Sequence, residues 1–429
     1  MEIIHNQGVC DPHIHIFEGK AYLFSTHDFA PGRDDFCMYD WQVFSSDDLL
    51  HWNREFVLRP EDTFLRYNRD CFATDAAERN GKYYLYFSDG QDCIGVAVSE
   101  NGPGGPYRDA LGKPLIPAGY VDTACYDPTV YIEDDENKTP YLIFGYTCAG
   151  KHYYIARLNE DMISLAEEPR PIDLIGGWQD DANWITKHNG TYYLNTHHGQ
   201  YATSDNLFGP YTFKGIFSHD SYVDHATFFS YHNQFYVAYG VPYYQGKGHD
   251  DTDWFYRTAK IVYAQYRDNG EIAVDHFIEA AGGGQYDAEW EEIRAVWFFA
   301  ASDGVYKKEK KDGGFALQGI RHHTYAAYPR VRNIRENAVL ILSASNGNPE
   351  ACRVLVREGS PFGAVLACGE IPPTGSFDEY VELPLPMKLM GGTHDLCLVF
   401  ENEKEPEEAA RLDSLRFSAE ADPIRKKEK

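Results

Sequence analysis

Residues 10–28 read CDPHIHIFEGKAYLFSTHD, with an Asp-Pro pair followed by two short apolar segments on either side of a Glu-Gly-Lys turn. Apolar and polar residues alternate in the first segment, and alternation bounded by a glycine turn predicts a β-hairpin. The hairpin begins with a carboxylate, Asp11, directly ahead of Pro12. The pattern therefore predicts a strand pair that carries an acidic side chain at its entrance.

The same order of polar opener, apolar strand, polar turn and aromatic strand occurs again further along the chain. The copies begin at residues 11, 72, 127, 181 and 225, a spacing of roughly 45–60 residues, close to the length of a propeller blade. Such repeats, with further strand-like segments between them, predict a radial array of sheets. A generic antiparallel sandwich is the alternative, but it does not require similar hairpins at regular spacing. We therefore predict an all-β chain that contains a five-bladed β-propeller.

In a propeller the first strands of the blades surround one channel, so the five openers should meet at one end of it. They are Asp11, Phe72, Asp127, Asp181 and His225. Three of the five are carboxylates that lie far apart in sequence. Such a group is suited to general acid–base chemistry on a substrate bound at the channel mouth.

The rest of the chain predicts a second all-β domain. A glycine-rich stretch, AAGGGQYDAEW at residues 280–290, marks the boundary. We predict a propeller over residues 1–280, a β-sandwich (jelly-roll) domain over residues 281–418, and a charged tail over residues 419–429.

Composition argues against several classes of partner. The chain has 39 Lys and Arg against 66 Asp and Glu, a net charge of -27, which disfavours nucleic acid and anionic membranes. Its nine cysteines lack metal-binding spacing, and the opening residues MEIIHNQG do not read as a signal peptide. We expect a cytoplasmic protein with reduced thiols and no nucleic-acid or membrane partner, and we leave homo-oligomerisation open.

Four segments resemble glycoside hydrolase family 43. They are the Asp11-Pro12 hairpin, GKYYLYFSDG at 81–90, the second Asp-Pro pair in YDPTVYIEDD at 126–135, and WITKHNGTYYL at 184–194. The resemblance covers residues 1–280. It implies exo-acting, inverting hydrolysis of oligosaccharides by an α-L-arabinofuranosidase or β-xylosidase. The second domain resembles a family 6 carbohydrate-binding module, although Arg411 stands where that module has a ligand asparagine.

The resemblance implies a role for each carboxylate. Inverting enzymes use a general base and a general acid about 6.5–9.5 Å apart. Asp11 matches the base, and Asp127 matches a third carboxylate that orients the acid and raises its pKa. Asp181 stands at the position of the acid, where the family has glutamate, so its carboxyl lies about 1.5 Å further back. Three explanations remain open: a tightened pocket, a different proton donor, or a degenerate site.

The resemblance also implies binding residues. His225 matches a histidine that often ligates a calcium ion on the propeller axis, and Arg257 matches an arginine that reaches sugar hydroxyls. Phe72 stands where the family usually has a tryptophan at the pocket floor. Trp41, His27 and Trp184 are candidate rim residues, with packing as the favoured alternative for each. The alternatives to the predicted function are a non-catalytic sugar-binding propeller and a glycosidase for another sugar, such as galactofuranose.

Overall fold

The computed structural model describes residues 3–5, 7–177, 180–218, 220, 222–244, 252–404 and 407–418. The chain divides into two compact units. The first contains Met1–Phe229, Tyr236–Ala264 and Glu271–Glu279, and the second contains Ser230–Phe235, Gln265–Gly270 and Ala280–Lys429. The predicted tail over residues 419–429 lies outside the described residues. Strands dominate both units, which confirms the all-β prediction.

The described residues up to Asp275 form five sheets, one for each predicted repeat. Neighbouring strands such as β1 and β2 are antiparallel, whereas the short β13 pairs with β17 in parallel. The first sheet contains β1 (Val9–Phe17), β2 (Lys20–Asp28), β3 (Met38–Ser46) and β4 (Asn53–Leu58), and the second contains β5 (Cys71–Arg79), β6 (Lys82–Asp89), β7 (Cys93–Ser99) and β8 (Arg108–Asp109). The third contains β9 (Thr129–Ile132), β10 (Pro140–Gly145), β11 (Tyr153–Arg157) and β12 (Arg170–Ile172). The fourth contains β13 (Leu174–Ile175), β14 (Trp184–His188), β15 (Thr191–Asn195), β16 (Gln200–Ser204) and β17 (Tyr211–Ile216), and the fifth contains β18 (Asp224–Tyr231), β19 (Gln234–Tyr244), β20 (Thr252–Tyr266) and β21 (Ile272–Asp275).

Buried hydrogen bonds join the first long strands of successive sheets around an axis. The Asp75 carboxylate of β5 contacts His15 Nε2 of β1 at 2.6 Å and accepts the Val130 amide of β9 at 2.6 Å. Between the fifth and first sheets, Thr227 Oγ1 donates to the Pro12 carbonyl at 2.5 Å. These bonds give the first unit the ring of sheets expected of a propeller.

Aromatic side chains fill the spaces between neighbouring sheets. Trp41 of the first sheet packs against Phe87 of the second, with ring centroids 4.8 Å apart. The Trp41 side chain is fully buried, and its indole N–H donates to the Phe72 carbonyl at 2.7 Å. The expectation that Trp41 lies on the pocket rim is therefore replaced by a packing role, because a fully buried ring offers no face to a sugar.

The second unit contains two six-stranded sheets in its described part. The strands are β22 (Tyr286–Asp287), β23 (Ile293–Arg294), β24 (Ala300–Ala301), β25 (Tyr306–Glu309), β26 (Phe315–Ile320), β27 (Tyr325–Ile334), β28 (Val339–Ser345), β29 (Cys352–Glu358), β30 (Val365–Ile371), β31 (Val381–Pro386), β32 (Gly392–Glu401) and β33 (Ala410–Ser418). One sheet has the order β22-β27-β32-β29-β30, with β24 paired to β27, and the other has the order β25-β26-β33-β28-β31, with β23 paired to β33. A short helix, α1 (Phe277–Ala281), precedes them. No helix in the described part of the chain has the length and hydropathy needed to cross a membrane.

Candidate active site

A pocket of about 150 Å³ lies at the end of the ring where the first strands begin. Side chains from all five sheets or the segments ahead of them line it: Asp11, Phe36, Met38, Phe72, Ala73, Gln91, Tyr126, Asp127, Asp181, His197, Tyr222, Asp224, His225 and Arg257. The five predicted openers are all in this set. The structure therefore brings together the residues that the repeat pattern placed at one end of the channel.

A larger cavity of about 880 Å³ lies where the same strands end, lined by residues such as Phe17, Tyr83 and Trp184. Its carboxylates, Glu18 and Glu78, lie at hairpin ends; Glu18 accepts a hydrogen bond from the Tyr83 hydroxyl of the second sheet, and Glu78 accepts one from the Gly81 amide. The smaller pocket concentrates the buried carboxylates, so we place the chemistry there.

Three of the five openers have a positive φ, and His225 is one of them with a φ of 32°. Asp11 and Asp127, each followed by proline, have φ values of 45° and 52°, in the left-handed region. Asp tolerates this region better than most residues, and left-handed non-glycine residues often mark functional sites. At Asp11 the β1–β2 register shifts between Cys10 and His13. The bulge turns the Asp11 carboxylate into the pocket.

Arg257 of β20 holds the Asp11 carboxylate in place. Its Nη1 donates to Asp11 Oδ1 at 2.7 Å and to Asp224 Oδ2 at 2.5 Å. Its Nε and Nη2 donate to Asp28 at 3.0 and 2.9 Å, and Nη2 also reaches Asp11 Oδ2 at 3.3 Å. On the other side of Asp11, Thr26 Oγ1 donates to Oδ2 at 2.7 Å.

This network modifies the expectation for Arg257. All five N–H groups of a guanidinium are used by the three carboxylates, and the side chain is buried. No donor remains for a sugar hydroxyl in this arrangement. The geometry instead makes Arg257 the cation that neutralises and orients Asp11.

Asp127 and Asp181 lie just ahead of β9 and β14, the first long strands of neighbouring sheets. Asp127 Oδ2 accepts the Ala182 amide at 3.1 Å, and Asp181 Oδ2 accepts the Tyr126 hydroxyl at 2.8 Å. Burial raises the pKa of Asp127, in opposition to His225, and the neighbouring carboxylates of Asp181 and Asp11 raise it further. Burial likewise raises the pKa of Asp181, in opposition to His197. A raised pKa suits a carboxyl that must hold a proton.

Asp180, the neighbour of Asp181, is not among the described residues that line the pocket. Its carboxylate contacts the ring of His197 at 3.2 Å instead. Of the two adjacent aspartates, Asp181 is therefore the one that faces a substrate.

Two further pocket residues, Asp224 and His197, were not identified from the sequence. Asp224 lies directly before His225, and His197 follows β15. Burial lowers the pKa of His197, but the charges of Asp224, Asp180 and Asp181 outweigh it and raise this pKa to about 9. Conversely, burial raises the pKa of Asp224, but His197 and Arg257 hold it below its ordinary value. The sequence could have indicated Asp224, because it directly precedes the opener His225. No sequence pattern indicates His197.

His225 lies deep in the pocket, with Nε2 3.7 Å from Asp127 Oδ2 and 3.9 Å from Asp224 Oδ1. Among the described residues, its buried Nδ1 has no hydrogen-bond partner, and the imidazole of His13, whose Nδ1 lies 3.3 Å from Asp75 Oδ1, has its ring centroid 5.7 Å away. A buried imidazole nitrogen on the axis that has no hydrogen-bond partner among the described residues is suited to ligate a cation whose other ligands are water, such as the predicted calcium ion.

The remaining predicted residues differ in their fit to a binding role. Phe72 lines the pocket and packs edge-on against Phe36, with ring centroids 6.4 Å apart. His27 is not among the described lining residues and pairs with Asp40 at 2.9 Å. Side chains alternate along a strand, and Thr26 points towards Asp11, so His27 points away.

A ring of sheets that holds several carboxylates around one pocket meets the requirement of a glycoside hydrolase for two carboxyl groups around one sugar. Residues 3–270 match the family model described as glycosyl hydrolases family 43. The chain belongs to this family and is a glycoside hydrolase. Residues 298–419 match the model of carbohydrate binding module family 6. Both predicted resemblances are confirmed.

Relatives and solved structures agree with this assignment. The chain is 32% identical over 263 residues to a xylosidase/arabinosidase of Bacteroides ovatus, covering 48% of this chain and 77% of that protein. It is 28% identical over 456 residues to an arabinoxylan arabinofuranohydrolase of Paenibacillus polymyxa, covering 91% of this chain and 70% of that protein. A family 43 β-xylosidase/α-arabinofuranosidase from a compost microbial metagenome, solved with xylotriose in a calcium-free form, is 25% identical with a TM-score of 0.53, covering 63% of this chain and 96% of that one.

Proposed function

We propose that the protein is an exo-acting, inverting glycosidase that removes a terminal arabinofuranose or xylose from plant-type oligosaccharides. The observation that carries the proposal is the meeting of Asp11, Asp127 and Asp181 in one small pocket. A cavity of about 150 Å³ suits one sugar residue rather than a long chain segment. The names of the relatives supply the sugar class.

In the proposed reaction Asp11 takes a proton from a water molecule, and the resulting hydroxide attacks the anomeric carbon. Asp181 gives its proton to the glycosidic oxygen as that bond breaks, so the sugar leaves with inverted configuration. Arg257 and Thr26 hold both oxygens of Asp11, which limits its rotation and fixes the direction of attack. Asp127 supports the backbone ahead of β14 through the Ala182 amide and so positions Asp181.

A calcium ion on the axis is part of this proposal. His225 Nδ1 would be its ligand from this chain, with water completing the oxygen shell that calcium prefers. Such an ion would supply fixed positive charge beneath the pocket.

The second candidate function is sugar binding without hydrolysis. The Tyr126 hydroxyl donates to one oxygen of Asp181, and His197 Nδ1 lies 3.7 Å from the other. Both contacts favour the ionised form of Asp181, which has no proton to give.

A panel of nitrophenyl glycosides, including α-L-arabinofuranoside, β-xyloside and β-galactofuranoside, tests the proposal. We expect turnover of the first or second. Asp11→Asn should lower kcat by about 10²–10⁴-fold with product-sugar binding retained in calorimetry. Asp135→Asn, at an exposed hairpin turn, is the matched control and should behave as wild type. Sugar binding without turnover of any glycoside would instead favour the second candidate.

A further inference from the structure

The loop after β15 places two adjacent histidines beside Asp180. His197 and His198 form a single short turn in which His198 has a φ of 60°. The His197 amide donates to the Asp181 carbonyl at 3.1 Å, and the His198 amide donates to the Val223 carbonyl at 2.8 Å. These bonds hold the two imidazoles face to face, with ring centroids 4.2 Å apart.

Three potential metal-ligating atoms converge at this turn. Asp180 Oδ2 lies 3.2 Å from His197 Nδ1 and 3.3 Å from His198 Nε2. All three atoms lie within 4.8 Å of one another. A tetrahedral zinc ion with bonds of about 2.0–2.2 Å needs ligand atoms about 3.3–3.5 Å apart. Two of the three separations are already close to that value.

The surroundings of these atoms match those of a metal centre. The second nitrogen of His197, Nε2, faces Asp224 Oδ1 at 3.6 Å, and metal-bound histidines usually direct their other nitrogen to a carboxylate. The Asp180 amide donates to Thr147 Oγ1 at 2.9 Å, which fixes the residue that supplies the oxygen ligand. Tyr222 packs edge-on against His197 at 4.6 Å.

Charge and access favour a divalent ion here. Asp180, Asp181 and Asp224 all lie within 4 Å of the His197 ring. A dication balances this group of carboxylates better than a single proton does. His197 is buried, whereas Asp180 and His198 are partly exposed, so an ion has a path from solvent and room for a water ligand.

We propose that Asp180, His197 and His198 form a binding site for a zinc-type transition-metal ion at the wall of the active-site pocket. Two imidazoles and one carboxylate suit Zn²⁺ or Co²⁺, whereas calcium prefers an all-oxygen shell. The site is separate from the axial position at His225 and does not depend on the proposed hydrolysis.

Isothermal titration of the full chain with Zn²⁺ tests the proposal, with excess Ca²⁺ present to saturate the axial position. Wild type should bind one equivalent at this site. Asp180→Asn and His198→Asn should each weaken that binding by at least about tenfold. Asparagine tolerates the left-handed backbone at residue 198, so the second variant should keep its fold, which circular dichroism checks.

The matched control is His276→Asn in another three-residue group, Asp220, His276 and Glu279, whose ligand atoms are similarly close. Its zinc binding at the proposed site should equal that of wild type. Co²⁺ bound to wild type should show the strong visible absorption of tetrahedral coordination, and His198→Asn should lack it. Absence of saturable zinc binding, or binding that survives both Asp180→Asn and His198→Asn, would overturn the proposal.

Discussion

Replacing Arg257 with methionine should destabilise the first unit substantially. Methionine keeps the length and apolar bulk of the side chain but removes a cation that pairs with Asp11, Asp28 and Asp224. All four side chains are buried. Breaking a buried ion pair by removing one partner costs about 3–5 kcal/mol, because an uncompensated charge remains. Unfolding entropy of about 2.1 cal/mol/K per residue over the roughly 270 residues of the family match converts this loss into a Tm decrease of about 5–9 °C.

The loss should depend on pH in a defined direction. Burial already raises the pKa of Asp28 against the opposing charge of Arg257, so without Arg257 this pKa lies further above that of the unfolded chain and folding takes up protons. Stability gained in this way is present at acid pH and is lost as pH rises. The decrease in Tm of Arg257→Met relative to wild type should therefore be smaller at pH 5 than at pH 8.

Scanning calorimetry at both pH values measures the deficit. Arg170→Met is the control, because Arg170 pairs with Glu167 at 3.0 Å on the surface, and such pairs contribute about 1 kcal/mol or less. The reasoning fails if Arg257→Met melts within 2 °C or so of this control, or if its deficit is the same at both pH values.

The remaining predictions concern the reaction. Asp181→Asn should lose about 10²–10⁴-fold in kcat on oligosaccharides but far less on dinitrophenyl glycosides, whose leaving groups need no proton; equal losses on both would exclude Asp181 as the acid. Tyr126→Phe removes a hydrogen bond that favours ionised Asp181, so the pKa of Asp181 should rise. The basic limb of the pH dependence of kcat/KM should therefore move to higher pH. If this limb does not move, another group carries the proton. Proton NMR of the first-formed sugar should show inverted configuration; a retained anomer would rule out the proposed water attack.

The repeat pattern predicted the location of the pocket because it records local geometry. An Asp-Pro pair ahead of an alternating segment marks the turn at which a strand begins, and Asp11 and Asp127 enter the pocket from such turns with a positive φ. The same pattern explains why the five openers meet, since each begins the first long strand of its sheet or directly precedes it.

The residues that sequence reasoning missed or misplaced depend on long-range packing. His197 lies after the second strand of its hairpin; the β14–β15 pairing brings it to Asp181, but only packing of the fifth sheet brings it to Asp224. The sequence leaves Trp41 open to interpretation as a rim residue or as a packing residue, and its complete burial favours packing. The role of Arg257 could not be predicted, because its three carboxylates lie between 33 and 246 positions away along the chain.

The position of Arg257 in the chain also determines when the active site can form during synthesis. Asp11 leaves the ribosome before Arg257, which follows 246 positions later in the chain. Until β20 has been made and packed against the first sheet, the Asp11 carboxylate has no guanidinium to hold it. The bond from Thr227 to Pro12 closes the ring at the same junction. A nascent chain that stops after four sheets would therefore lack an organised base, which makes completion of the ring a prerequisite for catalysis.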